Sequence, residues 1–238
     1  LSNLIYLSII IPVYNEADNV AHLYQEIAAA LPAEQFTFEV IFVDDGSTDE
    51  TVSRLQSLAR ENPLLRLVCH KRNYGQSAAL VSGARAAKYP MLVTLDGDGQ
   101  NDPADIPRLF TYLSNTKTVV LGNRKKRDDN YIRKMSSLVG NKVRQSLLHD
   151  QCPDTGCSLK LFPRDAFLSL PHFNHLHRFL PALFKRAGYT LVNVPVNHRP
   201  RWHGVSKYGV MNRLFVGIHD LIGVRWLLKR PCAPEISE

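Results

Sequence analysis

Short runs of β-branched residues alternate with stretches of helical periodicity through the first half of this chain, and few folds accept that rhythm. Residues 8–13 (SIIIPV) and 38–43 (FEVIFV) have the composition of strands. Between them Val20, Leu23, Ile27 and Leu31 recur at the spacing of one helix face. Ser47 and Glu50 fit a capping box, after which Val52, Leu55 and Leu58 mark the buried side of a second helix. The series continues with a strand at 65–69, a helix from Gln76 to Ala87 and a strand at 91–95, then a helix opened by Asp102 and Pro103 and a strand at 118–122. Parallel strands need crossover connections of this kind, so the pattern predicts an α/β fold with a mostly parallel sheet flanked by helices. Ligands of such sheets sit at the carboxyl ends of the strands.

The rhythm changes after residue 124, where "RKKRDD" reads as a solvated surface loop holding Lys125, Lys126 and Arg127. A helix at 131–149, the strand-like "CSLKLF", a helix near 177–187 and the strand "TLVNVPV" are expected to complete the sheet and build one wall of a cleft. No Gly-, Ser- or Pro-rich linker, internal repeat or low-complexity segment divides the 238 residues, so a single domain is expected. An apolar content of 45% is ample for its core.

A formal charge of +7 points to an anionic partner without choosing among nucleic acid, lipid and a phosphorylated substrate. Cys69, Cys152, Cys157 and Cys232 lack both disulfide-scaffold and zinc spacing, which favours reduced thiols in the cytoplasm. The opening "LSNLIYLSIIIPVYNE" reads as a first strand and not as a signal peptide, and no apolar run is long enough to cross a bilayer.

Polar motifs fall at the predicted strand ends: "YNE", "DDGS", "DGDGQ" and "GNR". In "LVTLDGDGQNDP" Asp96, Asp98 and Gln100 stand on alternate positions between glycines. Carboxylates that close repel one another unless a cation lies between them, and three hard oxygen donors suit Mg2+ or Mn2+. The plainer reading is an Asp-rich turn capping the next helix, a job Asp102 already fills. "SIIIPVYNE", "VIFVDDGSTDET", "KRNYGQSAAL" and "LDGDGQNDP", in that order and spacing, resemble family 2 glycosyltransferases of the GT-A fold, which is Rossmann-like. The nearest branch is the dolichyl-phosphate mannosyltransferase and polyprenyl-phosphate glycosyltransferase group, and the similarity runs to about Lys207.

That resemblance implies a single GT-A domain with a nucleotide-sugar-binding half at 1–123, an acceptor half at 124–208 and an amphipathic C-terminal helix at 209–238. Pro12, Tyr14 and Glu16 would line the nucleotide pocket, Tyr14 against the base and Glu16 near the ribose; an ordinary half-buried aromatic is the alternative for Tyr14. Asp44 would accept a hydrogen bond from the base, while Asp45 and Ser47 organise the turn and cap the helix. Gly75 would admit the nucleotide, or serve as a plain turn glycine. Asp96, Asp98 and Gln100 would hold the metal. Arg124, Arg133, Arg201 and Lys207 match cations of the branch that hold the lipid phosphate and the donor diphosphate, Arg124 and Arg133 at the acceptor phosphate and Arg201 and Lys207 at the donor. Asp154, in "DTGCSLKLF", matches a position beside the site or is a turn carboxylate.

The implied reaction is inverting, metal-dependent transfer of a sugar, mannose in the nearest group, from GDP-mannose or a UDP-sugar to a polyprenyl phosphate. The alternative is a hydroxyl acceptor in glycolipid or polysaccharide synthesis. Nucleic acid is not an expected partner, since no DNA- or RNA-binding signature appears, and no P-loop is present. In residues 213–230 Leu214, Ile218, Leu221 and Ile222 share a helix face near Trp226 between basic ends. This helix is expected to lie on a membrane surface, placing the enzyme peripherally on the cytoplasmic face, or to pack on the core or on a second copy; a membrane protein that collects the product is the other partner considered.

Overall fold

The computed structural model describes residues 4–124, 144–202 and 210–230. A seven-stranded sheet is made by β1 (Ile5–Val13), β2 (Phe36–Asp44), β3 (Leu65–Cys69), β4 (Met91–Thr94), β5 (Thr118–Arg124), β6 (Lys160–Pro163) and β7 (Thr190–Val196). Its order is β3-β2-β1-β4-β6-β5-β7. Every pairing is parallel except those of β6, which runs antiparallel between β4 and β5. The expected strand at "CSLKLF" is therefore present, but it enters the middle of the sheet in the opposite sense, a placement local patterning does not encode.

The helices are α1 (Val20–Ala30), α2 (Thr51–Glu61), α3 (Gln76–Ala86), α4 (Ile106–Phe110), the helical residues 144–148 as α5, α6 (Arg164–Leu168), α7 (Leu180–Arg186) and α8 (Val210–Leu228). Central strands are buried on both faces, which is why β1 and β2 read as continuous apolar runs. Leu7, Ile9 and Ile11 pack toward α1 and α4, whereas Ile10 and Ile41 face α3 and the α6–α7 side. α3 lies so close to the sheet that a Cβ on Gly83 would stand 2.5 Å from Ile10, so only glycine fits at that contact.

Three local expectations need correction. α2 begins at Thr51 and Ser47 does not cap it; Ser47 Oγ instead accepts from the Asn15 amide at 2.9 Å and ties two strand-end loops together. The "GNR" residues form the end of β5 itself. The C-terminal helix divides its apolar residues differently from the expectation: Leu221 and Leu227 pack against the core beside buried Val224, and Ile218, Ile222 and Trp226 are exposed. Of the helix expected at 131–149, residues 144–149 lie within the described residues, and 144–148 of them are helical. Asp102 caps its turn as expected, accepting from Ala104 at 3.1 Å.

Candidate active site

The carboxyl ends of β1, β2 and β4 meet in one cleft, and each strand hands over its polar residues through a backbone device. After β1, Asn15 adopts a left-handed conformation with φ 55°, which asparagine tolerates, and its side chain accepts from the Thr48 amide. Glu16 follows, half-buried, receiving Asn19 Nδ2 at 2.6 Å. Pro12 and Tyr14 are also half-buried along this edge.

At the end of β2 the two aspartates have different duties. Asp44 is 1% exposed; its Oδ2 accepts the amides of Gly46 and Ser47, and its Oδ1 is buried without a protein partner. Asp45 was expected to organise its own turn, but it reaches the next loop. Its carboxylate accepts the Tyr74 amide at 2.8 Å, the Gly75 amide at 2.7 Å and His70 Nδ1 at 2.7 Å. Gly75 has φ 91°, so the "RNYGQ" loop needs glycine for its backbone turn, and Asp45 holds that turn in place.

The acidic loop follows β4. A Cβ on Gly97 would meet Val13 at 2.6 Å, and one on Gly99, at φ 74°, would meet the Trp202 ring at 2.4 Å. The glycines of "DGDG" thus permit close packing against β1 and beneath an indole. Asp96 accepts Gln76 Nε2 at 2.8 Å on one oxygen and the Ser158 hydroxyl on the other. Asp98, 6% exposed, accepts the Gln100 amide at 3.1 Å and pairs with Arg201 at 2.7 Å. Burial, reinforced by the charge of Asp96, pushes the Asp98 carboxyl up to about 6. Arg201 also reaches Glu16 at 3.5 Å.

The second half supplies cations from two directions. Arg201 comes from the segment that follows β7, and that segment is pinned to the acidic loop: Arg199 donates its amide to Gln100 O and its guanidinium to both oxygens of Glu26. Arg124 meets Asp154 through Nε at 2.6 Å and Nη2 at 2.7 Å. Burial works against its charge, but the carboxylate prevails and raises its proton affinity. Asp154 is thus the partner of Arg124 and not a free turn carboxylate. Arg133 and Lys207 lie outside the described residues.

A cavity of about 530 Å³ opens beside Asp96, lined among others by Gln76, Ser158, Lys160, His177 and Arg178. None of these was singled out from sequence. Lys160 alone left a legible signal, as a charged residue within an apolar strand-like run. Burial, with the charges of Arg178, Lys160 and His175, holds the His177 imidazole down to about 3.

Asp96, Asp98 and Gln100 offer only oxygen donors, and burial together with the Asp96 charge raises the Asp98 carboxyl despite its pairing with Arg201. Among the described residues no group of three or more His, Cys, Asp and Glu gathers that could hold a metal ion by itself. The hard oxygen donors of Asp96, Asp98 and Gln100 are of the kind that suits Mg2+.

The family model described as "Glycosyl transferase family 2" matches residues 8–170. The chain is 36% identical over 235 residues to dodecaprenyl-phosphate galacturonate synthase of Rhizobium johnstonii, covering 96% of this chain and 69% of the relative. It is 33% identical over 218 residues to undecaprenyl-phosphate 4-deoxy-4-formamido-L-arabinose transferase of Edwardsiella ictaluri, covering 91% and 67%. It thus spans about two thirds of the length of these relatives. Among solved structures, glucosyl-3-phosphoglycerate synthase from Mycobacterium tuberculosis, with Mn2+, UDP and glucosyl-3-phosphoglycerate, superposes with a TM-score of 0.72 at 16% identity, over 96% of this chain and 81% of that one. A mannosyltransferase from Pyrobaculum calidifontis, with GDP-Man and Mn2+, gives 0.67 at 22%, over 96% and 65%. The expected GT-A fold is the fold found.

Proposed function

Because the chain belongs to glycosyl transferase family 2, we propose that it transfers a sugar from a nucleotide-sugar to the phosphate of a polyprenyl phosphate. The observation that carries the reading is the Asp96–Asp98 pair at the end of β4, facing Arg201. The names of the two curated relatives, both polyprenyl-phosphate sugar transferases, support the acceptor.

Asp44 Oδ1, buried and without a protein partner, is the acceptor for a base N–H, and Glu16 and Tyr14 flank the nucleoside. Asp96, Asp98 and Gln100 would hold Mg2+ or Mn2+, as the ions in the structural neighbours suggest. When bound, such an ion supplies Lewis-acid stabilisation of the departing nucleoside diphosphate. Arg201, with Lys207, adds positive charge at the same diphosphate. Gln76 and Ser158 fix the Asp96 carboxylate so that it need not reorganise when the donor arrives.

The acceptor chemistry agrees. A hydroxyl needs a general base, whereas a phosphate monoester, with a second pKa of about 6, arrives already anionic and needs only cations. The carboxylates bordering the cleft are engaged, Asp96 by Gln76 and Ser158 and Asp154 by Arg124, which favours the phosphate. Arg124 and Arg133 would hold it for a single displacement that inverts the anomeric carbon. Mannose is the sugar of the most similar branch by motif, whereas the relatives' names carry galacturonate and an arabinose derivative.

The test is incubation of the protein with a short polyprenyl phosphate and, separately, GDP-mannose, UDP-galactose and UDP-galacturonate, each with Mn2+ or EDTA. A metal-dependent glycolipid from one donor is the expected result. Donor binding without product under any condition would overturn the phosphate acceptor.

A further inference from the structure

We infer that the cavity beside Asp96 receives the transferred sugar and reads a carboxylate on it, with Lys160 as counter-charge, so that the donor is a nucleotide-activated uronic acid. This rests on the nucleotide-sugar reading above.

Lys160 stands in β6 opposite Thr94 and Leu121, in the interior of the sheet, and is 4% exposed. Its neighbours Leu159 and Leu161 belong to the α1 face of the core, while Lys160 points to the other face, into the cavity. Its ammonium donates to the carbonyls of Thr155 and Cys157, and no carboxylate of the described residues pairs with it. Taking an ammonium out of water is costly, and a carbonyl pair without a counter-ion recovers little of that cost. A lysine in this position is explained by an anion that arrives with the ligand.

The rest of the lining agrees. Arg178 adds a second permanent cation, and His177, hydrogen-bonded to the Ser77 hydroxyl at 2.8 Å, is neutral and contributes none. Among the described residues the one carboxylate of the lining, Asp96, already accepts from Gln76 and Ser158. The turn carrying Arg178 is built under strain: His175 has φ 66° and is held by Asp220 of α8 at 2.9 Å. Strain of this kind persists where surrounding structure over-determines a functional geometry.

A volume of about 530 Å³ suits a monosaccharide with its hydration. The pocket begins at Asp96, the first carboxylate of the acidic loop, so a sugar attached to the diphosphate projects into it. A prenyl phosphate would need an apolar channel for its chain, and among the described residues the lining offers only scattered leucines, Leu80, Leu95 and Leu180. The anion is therefore assigned to the sugar.

The experiment is calorimetric binding with Mg2+ of UDP, UDP-galactose, UDP-galacturonate, GDP-mannose and GDP-mannuronate to the whole chain and to Lys160→Met and Lys160→Arg. In the wild type one uronate donor binds at least tenfold tighter than its neutral counterpart. Lys160→Met abolishes that difference while leaving nucleotide affinity intact, and Lys160→Arg retains most of it. Equal binding of acidic and neutral donors by the wild type, or discrimination that survives Lys160→Met, overturns the inference while leaving the nucleotide-sugar reading standing. Failure of every nucleotide to bind overturns both. A short polyprenyl phosphate forms the last arm: if Lys160→Met abolishes its binding and spares uronate preference, the anion read by Lys160 is the acceptor's, and the sugar assignment falls. If Lys160→Met does not fold, Arg178→Gln takes its place, with a reduced uronate preference expected and an unchanged one overturning the inference.

Discussion

Arg201 Nη2 lies 2.7 Å from Asp98 Oδ2, and its other terminal nitrogen lies 3.5 Å from Glu16. One guanidinium from the segment after β7 thus joins the loops that follow β1 and β4. Arg201→Gln removes the only cation paired with Asp98 among the described residues. Its effect on nucleoside-diphosphate affinity is expected to be about tenfold, because Asp98 is buried and truncating half-buried Arg201 strands its charge. Calorimetric titration with UDP and GDP measures it, and an unchanged far-UV spectrum separates the loss from unfolding.

The Gly99 backbone at φ 74° lies under the Trp202 ring, which also contacts His22 and Arg199. Gly99→Ala combines an unfavourable backbone with a clash against the indole and is expected to cost about 1–3 kcal/mol. A urea titration reports the stability. Because the chain has only two tryptophans, a shifted emission maximum reports displacement of the ring.

His177 links stability to pH. Burial, then the charges of Arg178, Lys160 and His175, hold its folded pKa near 3, against 6.5 for the free side chain. Below pH 6.5 the unfolded chain binds a proton that the folded chain refuses, so this contribution is complete above that pH and lost as the pH falls toward 3. At pH 5 the loss is about 2 kcal/mol. His177→Gln should therefore lose about that much less stability than the wild type between pH 7 and pH 5, compared by urea midpoints at the two values.

α8 has one face on the protein and another in solvent. Val224 is buried, whereas Ile222 is 65% and Trp226 59% exposed, with Arg230 over the indole at 5.3 Å. No helix among the described residues is long and apolar enough to cross a membrane. An apolar strip with a basic flank suits the headgroup layer instead. Ile222→Asp combined with Trp226→Asp should reduce co-sedimentation with anionic vesicles severalfold while changing folding stability by no more than about 0.5 kcal/mol.

Much of this protein was legible without coordinates because its information is periodic or local. The apolar runs of β1 and β2, the spacing of α1 and the turn at Asp102 follow from side chains that must be buried or capped within a few residues of one another. The ordered motifs then placed Asp44, Asp96 and Asp98 at strand ends, since in a parallel sheet every strand directs its last residues to the same side. What tertiary structure decided involves partners far apart in the chain. Asp45 serves the loop around Gly75, Ser47 receives Asn15, Arg124 is claimed by Asp154, and Arg201 returns to Asp98. β6 runs antiparallel between β4 and β5, strands distant from it in the chain order, and that placement carries Lys160 into the interior. The charge of that lysine is written in the sequence. Its separation from every carboxylate of the described residues, and hence its meaning, arises only when the sheet closes around it.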